Sequence, residues 1–132
     1  AQMVGLAQGS LDATVSYIKE RSQFGKPLAA FQAIQFDIAA MGCELEAARL
    51  TVHNAARLKD AGQTFVREAA IAKWFSAEVA ERVSSKAVDL LGGYGFTKDY
   101  PVEKIYRDCK LCTIGEGTSE IQKLVIARKL FA

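Results

Sequence analysis

Apolar residues recur at alternating spacings of four and three between residues 34 and 55. The residues on this stripe are Ile34, Ile38, Met41, Leu45, Ala48, Val52 and Ala55. Such heptad spacing is typical of a helix that packs at a shallow angle against its neighbours in a bundle or coiled coil. Gly62, in the segment Asp60-Ala61-Gly62, provides the expected stop signal. The pattern therefore predicts a long helix with one buried face.

Helical spacing is also found on both sides of this element. Leu11, Val15 and Ile18 define one face of a first helix that ends at about Arg21, ahead of a Gly-Pro break at 24–27. The other predicted helices run from about Phe65 to Leu91, from Val102 to about Cys109, and from Thr118 to Leu130, the last with Ile121, Leu124 and Val125 facing inward. No segment shows the two-residue period of a strand. We predict an all-α, up-and-down helical bundle with three long helices and a short C-terminal one.

Composition and charge narrow the class of protein. The chain has 132 residues, half of them apolar, so we expect one folded domain with a substantial core. Its formal net charge is +2, which gives no electrostatic reason to expect a nucleic-acid partner. The apolar runs are short and interrupted by charges, so we expect no membrane span. The chain starts without Met, without a basic signal-peptide region and within a predicted helix, so we expect it to be a piece of a longer protein.

The three cysteines fit a reducing compartment, because their number is odd and their spacing is not that of a disulfide framework. Cys109 and Cys112 form a CxxC pair, but a zinc site would need two more ligands. The remaining candidates, Cys43 and His53, lie on another predicted helix. We therefore expect partly buried thiols and no metal, and we interpret His53 as a polar residue on the surface of its helix.

The segment 113–122 (TIGEGTSEIQ) contains the strongest candidate chemistry. Its carboxylate, Glu116, lies between Gly115 and Gly117, whose lack of side chains lets a ligand come close. Thr118 or Gly117 is the expected N-cap of the helix that follows, and the free N–H groups behind the cap can bind phosphate or another anion. Taken alone, the segment fits either a base beside an anion site or an ordinary Gly-Glu-Gly turn before a capped helix.

A second glycine-rich segment, Gly92-Gly93-Tyr94-Gly95, follows the third predicted helix. It is not a dinucleotide-binding fingerprint, because no strand precedes it and no helix begins directly after it. It fits either a helix terminator or a stretch of backbone that lies against a flat ring or a diphosphate.

Taken together, these segments resemble the C-terminal helical domain of the acyl-CoA dehydrogenase family. The matching stretches are 21–28 (RSQFGKPL) with Gln32 and Gln35, 90–96 (LLGGYGF), 100–104 (YPVEK), 106–108 (YRD) and 116–122 (EGTSEIQ). They follow the family's order and spacing over essentially all 132 residues. The segments 2–9 (QMVGLAQG) and 97–104 (TKDYPVEK) are most similar to the short/branched-chain members.

The resemblance implies an FAD flavoprotein that oxidises a short or short-branched acyl-CoA to the trans-2-enoyl-CoA, in fatty-acid or branched-chain amino-acid metabolism. Family enzymes combine an N-terminal helical domain, a middle β domain and a C-terminal bundle, to which residues 1–132 correspond. Glu116 matches the catalytic base, which removes the α-proton while a hydride leaves the β-carbon for the flavin. Exclusion of water beside a bound thioester raises the pKa of such a carboxylate and makes it a stronger base.

The resemblance also implies the ligand contacts. Arg21, Phe24 and Gln32 match positions at the FAD diphosphate and adenine, often across a subunit boundary, and the planar fork of an arginine suits phosphate. Further FAD positions are matched by Leu90, Leu91, Gly92, Gly93, Thr118 and Glu120. Gly117 matches a substrate contact and Arg128 a coenzyme A contact, whereas the segment 106–108 is interpreted as packing and ion pairing.

Gly115 departs from the family pattern, because many relatives carry Tyr immediately before the base. The missing ring is expected to widen or loosen the acyl pocket. The isolated chain is expected to be inactive, since half of the flavin site and most of the acyl pocket belong to the family's other domains.

The implied partners are an acyl-CoA substrate, electron-transferring flavoprotein as electron acceptor, and further copies of the chain in a homo-oligomer (dimer or tetramer). The implied location is the mitochondrial matrix in a eukaryote or the cytoplasm in a bacterium. Two alternatives stay open: an acyl-CoA oxidase, which shares the fold but passes electrons to oxygen, and a non-catalytic helical assembly module.

Overall fold

The computed structural model describes all 132 residues and consists mainly of five α-helices. They are α1 (Gln2–Glu20), α2 (Gln32–Asp60), α3 (Val66–Leu91), α4 (Val102–Ile114) and α5 (Ser119–Leu130). Two short 3₁₀ turns, Leu28–Ala30 and Gly92–Phe96, precede α2 and follow α3. The predicted all-α bundle is confirmed.

α3 lies at the centre and contacts each of the other four helices. α2 runs antiparallel to it, because Arg82 pairs with Glu44 at 2.8 Å while Lys86, further along α3, lies 3.7 Å from Asp37, which is earlier in α2. The turn at 92–96 then reverses the chain into α4. Helices α1 to α4 therefore alternate in direction, as expected for an up-and-down bundle.

The predicted stripe on α2 forms part of the core. Met41, Leu45 and Ala48 are buried, and Ile34, Ile38 and Val52 are half-buried and pack against them. α3 contributes mainly small and β-branched residues to the same core, among them Ala77, Val79, Ala80, Val83 and Ala87. Small side chains allow the helices to approach closely, while each large buried aliphatic side chain stabilises the fold by roughly 1.5–3 kcal/mol. The prediction of a buried face on α2 is confirmed.

The C-terminal helices differ from the prediction. α4 continues to Ile114, five residues beyond its expected end at Cys109. Ile121 and Leu124 were expected to face inward, but they are 50% and 44% exposed. The reason is that α5 packs chiefly against α3, so the apolar residues on its other faces have no cover within the chain. Of the three residues expected inward, only Val125 is half-buried.

The segment after α1 also differs from the prediction, which contained no strand. β1 (Ser22–Gln23) and β2 (Lys26–Pro27) form a minimal antiparallel hairpin. Its two turn residues, Phe24 and Gly25, both have positive φ, at +53° and +79°. A two-residue hairpin turn with positive φ at both positions matches the twist of the strands. The Gly-Pro break thus produces a folded corner between α1 and α2.

Candidate functional site

Glu116, the predicted base, lies in the short loop between α4 and α5. After α4 ends at Ile114, Gly115 is extended (φ −71°, ψ 155°) and Glu116 adopts a left-handed conformation with φ of +56°. For a residue with a Cβ this conformation costs about 1–2 kcal/mol. The Glu116 side chain is exposed, so its shielding from water has to come from a ligand or from surfaces outside these 132 residues.

Of the two glycines that flank Glu116, only Gly117 has a backbone conformation that requires a glycine. Its φ is +93°, and a Cβ there would lie 2.7 Å from Nε2 of Gln122. Gly115 has a φ that any residue adopts, and a Cβ there would lie 3.3 Å from the carbonyl oxygen of Leu111. Gly117 therefore permits the turn, whereas Gly115 lies close against the last turn of α4, where a Cβ would press on Leu111.

Thr118 is the N-cap of α5, which confirms one of the two predicted caps. Its side-chain oxygen accepts a hydrogen bond from the backbone N–H of Ile121 at 3.4 Å. Glu120, in the first turn, is exposed and lies 3.8 Å from the ammonium of Lys123. The free N–H groups at a helix start favour anions. The loop thus places a carboxylate next to a helix start.

A lysine from α3 holds this loop, and sequence reasoning missed it. Lys73 Nζ donates hydrogen bonds to the carbonyl oxygens of Cys112 at 2.8 Å and Gly117 at 2.7 Å. The side-chain amide of Gln122 donates a longer bond, 3.4 Å, to the same Gly117 carbonyl. The only signal in the sequence is a single charged residue within the otherwise uncharged stretch 69–77 (AAIAKWFSA).

A second group of predicted residues meets at the other end of α3. The guanidinium carbon of Arg21 lies 5.5 Å from the centroid of the Tyr94 ring. Gly92 ends α3 with a φ of +60°, and a Cβ on Gly92 or Gly93 would meet nothing within 4 Å. An open stretch of backbone beside an arginine fits a diphosphate group, which takes hydrogen bonds from both.

The other residues predicted to contact FAD at this end of α3 differ in their exposure. Phe24 is 92% exposed, and its ring meets Phe31 edge to face with centroids 6.4 Å apart. Gln32 is exposed at the start of α2. Leu90 is half-buried and Leu91 is buried in the core, so Leu91 presents only its backbone to a ligand.

The structure therefore divides the predicted site residues between the two ends of α3. Lys73 and Gly92 are 19 positions apart, which corresponds to about 28 Å along the helix axis. Glu116, Gly117, Thr118 and Glu120 belong to the first end, and Arg21, Leu90, Leu91, Gly92 and Gly93 to the second. Arg128 is separate from both, exposed in the last turn of α5.

The CxxC pair lies on α4 behind the Glu116 loop. Cys109 and Cys112 are both buried, and desolvation raises the pKa of each thiol. A hydrogen bond with Ser84 opposes this rise at Cys109, and the nearby Lys73 ammonium opposes it at Cys112. Cys43 is exposed on α2. The pair is thus two neutral, packed thiols rather than the partly buried ones expected.

The clefts of the surface do not single out the predicted site. One cleft of about 800 Å³ lies between α2, α3 and α4 and is lined by none of the predicted site residues. A smaller cleft of about 320 Å³ borders the loop beside Thr118 and Glu120. The candidate site is therefore identified by its loop geometry and not by an enclosed pocket.

No helix of the chain has the length and hydrophobicity that crossing a membrane requires.

Comparison with known proteins yields one family. Residues 1–131 match the family model described as acyl-CoA dehydrogenase, C-terminal domain. The chain is 54% identical over 132 residues to the short/branched chain specific acyl-CoA dehydrogenase of Rattus norvegicus mitochondria, covering all of this chain and 31% of that protein. It is 50% identical over 130 residues to the caffeyl-CoA reductase-Etf complex subunit CarC of Acetobacterium woodii, covering 98% of this chain and 34% of that one.

Solved structures agree with the sequence comparison. Butyryl-CoA dehydrogenase from Megasphaera elsdenii superposes with a TM-score of 0.98 at 45% identity, over 99% of this chain and 34% of that one. The chain thus spans about a third of the length of the proteins it matches. Members of the matched family are FAD flavoproteins.

Proposed function

We propose a function for this chain from its family, since it belongs to the acyl-CoA dehydrogenase family and corresponds to the C-terminal domain of those proteins. In this proposal, it supplies the catalytic base, Glu116, to an FAD-dependent enzyme. The proposed reaction is the oxidation of a short or short-branched acyl-CoA to the trans-2-enoyl-CoA. The observation that carries the proposal is the left-handed Glu116 in a loop fixed by hydrogen bonds from α3 and α5. Residues held in such conformations cluster at functional sites, where the surroundings over-determine them.

Glu116 accepts the α-proton of the thioester in this proposal. The electron pair of the broken C–H bond enters the new C=C bond, while charge builds up transiently on the thioester oxygen. The backbone N–H of Glu116 has no acceptor within the chain, which leaves it available to donate to that oxygen. A donor placed where charge develops is often worth about 3 kcal/mol of barrier lowering. FAD, when bound, accepts the hydride from the β-carbon.

Arg21 and the turn at Gly92–Gly93 are proposed to hold part of the FAD. The guanidinium can pair with phosphate oxygens through two parallel N–H groups, and the open glycine backbone lets a flat or charged group lie against it. Phe24, Gln32, Leu90 and Leu91 are proposed to complete this end, and Thr118 and Glu120 the other. Gly117 is proposed to contact the substrate and Arg128 coenzyme A. These contacts require the flavin to span from one end of α3 towards the other, or to be shared between subunits.

The proposed acyl group, a short or short-branched one, is inferred from the 54% identity to the rat short/branched-chain enzyme. The match of 130 residues to a caffeyl-CoA reductase subunit shows that similar C-terminal domains occur in proteins named for other acyl groups. Gly115, which lacks the ring that many relatives carry before the base, is proposed to widen the acyl pocket so that it fits an acyl chain wider than a straight one. The acyl preference is thus a proposal about the whole enzyme, of which this chain is one part.

The proposed partners are electron-transferring flavoprotein and further copies of the chain. CarC is named as part of a complex with Etf, which supports the first. Ile121, Leu124 and Leu130 of α5 are exposed apolar residues, which supports an oligomer that covers them. The isolated 132 residues are proposed to be inactive, and the enzyme to act in the mitochondrial matrix or the bacterial cytoplasm according to its source.

Glu116→Gln in the intact enzyme tests the proposal. Gln keeps the size and the hydrogen-bonding reach but cannot take the proton, so anaerobic flavin reduction by a short branched acyl-CoA should slow by about 10²- to 10⁴-fold. FAD content and substrate affinity should be retained, so the loss should appear in kcat rather than KM.

Glu46→Gln is the matched control, since Glu46 is an exposed carboxylate on α2 that pairs only with Arg49. A Glu116→Gln rate within tenfold of wild type means that Glu116 is not the base. An intact protein without yellow flavin would be an assembly module, and one that consumes oxygen stoichiometrically with substrate would be an oxidase.

A further inference from the structure

The side chain of Lys73, which lies outside the loop between α4 and α5, contacts the backbone on both sides of Glu116. Lys73 is half-buried on α3, 39 residues before Cys112 and 44 before Gly117. The two carbonyls that accept from its ammonium precede and follow Glu116 in the chain. A single positive group therefore bridges the residues that enter and leave the turn.

The position of the ammonium suits this bridge for two physical reasons. Cys112 lies in the last turn of α4, where carbonyl groups lack donors from their own helix and where the helix dipole favours a cation. Hydrogen bonds from a charged donor are roughly twice as strong as neutral ones. The conformation of Glu116 costs free energy, so it persists only when contacts of this kind hold the neighbouring backbone.

We propose that Lys73 is a positioning residue for the catalytic base: its two hydrogen bonds keep Glu116 in the left-handed turn from which it reaches the substrate. The inference rests on the proposed role of Glu116 and adds to it the group that sets its geometry. Lys73 acts through the backbone and takes no part in proton transfer.

A lysine that only stabilised the fold would behave differently. Its removal would lower the unfolding temperature and leave the rate of the chemical step in the folded enzyme unchanged. A positioning lysine changes that rate while substrate affinity stays the same, because misplacing a reacting group by about 1 Å can cost 10²-fold. The two roles are therefore separated by kcat measured against KM.

Lys73→Met in the intact holoenzyme is the first variant, since it keeps an unbranched apolar stem and removes the donors. We expect anaerobic flavin reduction to slow by about 10²-fold, with FAD content and KM unchanged. Lys73→Arg keeps the charge and the donors and should recover most of the rate. Lys59→Met is the control, because Lys59 is exposed in the last turn of α2, far from the loop in the chain and without an ion-pair partner. Its rate should equal that of wild type.

Combining Lys73→Met with Glu116→Gln completes the test. If Lys73 acts through Glu116, the double variant should be no slower than Glu116→Gln alone, because the two residues work as one unit. An active Glu116→Gln enzyme overturns the proposed function itself. A slow Glu116→Gln enzyme together with a wild-type rate in Lys73→Met overturns only the role of Lys73, as does a further loss in the double variant.

Should Lys73→Met fail to fold, Lys73→Gln replaces it. The shorter amide can donate to one carbonyl but not bridge both, so we expect a folded enzyme that is about tenfold slower than wild type. A wild-type rate in folded Lys73→Gln would overturn the inference.

Discussion

The two ends of α3 hold their neighbouring segments by different physical means. At the Lys73 end, directional hydrogen bonds from Lys73 and Gln122 fix the backbone around a single left-handed residue. At the Gly92 end, the Tyr17, Tyr94 and Tyr100 rings pack together with centroids 5.3–6.2 Å apart. Arg21 lies over one of these rings. The first end specifies the position of one backbone segment, and the second builds a broad surface.

This difference matches what each end is proposed to do. A base has to meet one proton at a fixed distance, so its loop needs strong and directional restraints. A large cofactor is held by many contacts, so an open glycine turn, an arginine and exposed rings suffice. The comparison teaches that directional bonds fix the backbone that carries the exposed carboxylate, whereas packed rings and open backbone form the aromatic end.

Gly95→Ala should produce the largest effect on the aromatic end. A Cβ at Gly95 would lie 2.5 Å from the Val88 carbonyl oxygen and 3.0 Å from Cβ of Leu91, so the turn after α3 must shift. Such overpacking costs about 1–3 kcal/mol, and we expect a lower unfolding temperature and weaker FAD retention. The flavin reduction rate at saturating FAD should stay near that of wild type, because the Lys73 end is untouched.

Gly93→Ala is the matched control for stability only, since a Cβ at Gly93 would meet nothing within 4 Å but Gly93 is itself proposed to lie against FAD. Thermal unfolding and gel filtration with flavin absorbance measure both variants. Equal stability of the two variants would contradict the packing argument, and a slow chemical step in FAD-saturated Gly95→Ala would contradict the separation of the two ends.

Sequence reasoning predicted the helices well because their signals are local. The heptad stripe from Ile34 to Ala55 identified the buried face of α2, and Gly62 and Gly92, both with positive φ, mark where helices stop. The roles of the predicted site residues come from the family resemblance and stay predictions.

The missed lysine and the exposed face of α5 concern contacts between distant residues, whereas the missed hairpin is local. The bond from Lys73 to Gly117 joins segments 44 positions apart, and no local pattern indicates it. The spacing of Ile121 and Leu124 fits a helix with an apolar side, but spacing does not tell whether the same chain covers that side. The hairpin at 22–27 is too short for a strand period to appear.

A smaller effect, the loss of fold stability at alkaline pH, should also distinguish the two ends of α3. Burial raises the pKa of Cys112 and Cys109 near the loop, and of Tyr17 at the aromatic end. A group whose pKa is raised on folding contributes stability that is present below its unfolded pKa and is lost as the pH rises through the folded pKa. Since unfolded thiols titrate near pH 8.5 and tyrosine near pH 10, the thiols should weaken the fold first.

The check is the unfolding temperature of the isolated chain as a function of pH, with tyrosinate absorbance followed in parallel. Cys112→Ala should reduce the first part of the alkaline loss, whereas Cys43→Ala, at an exposed thiol, should leave it unchanged. A loss of stability that is identical in wild type and both variants would mean that the Cys112 thiol does not contribute.

The most direct test of the division between the two ends is a side-by-side measurement of FAD retention and anaerobic flavin reduction in intact Glu116→Gln and Arg21→Leu enzymes. Glu116→Gln should keep its flavin and fail to reduce it. Arg21→Leu should lose about 1.5–3 kcal/mol of FAD affinity, as expected for a charge-assisted hydrogen bond, and should reduce flavin at near the wild-type rate once FAD is saturating. The account is contradicted if Glu116→Gln reduces flavin within tenfold of the wild-type rate, or if Arg21→Leu retains FAD as wild type does and instead loses the chemical step.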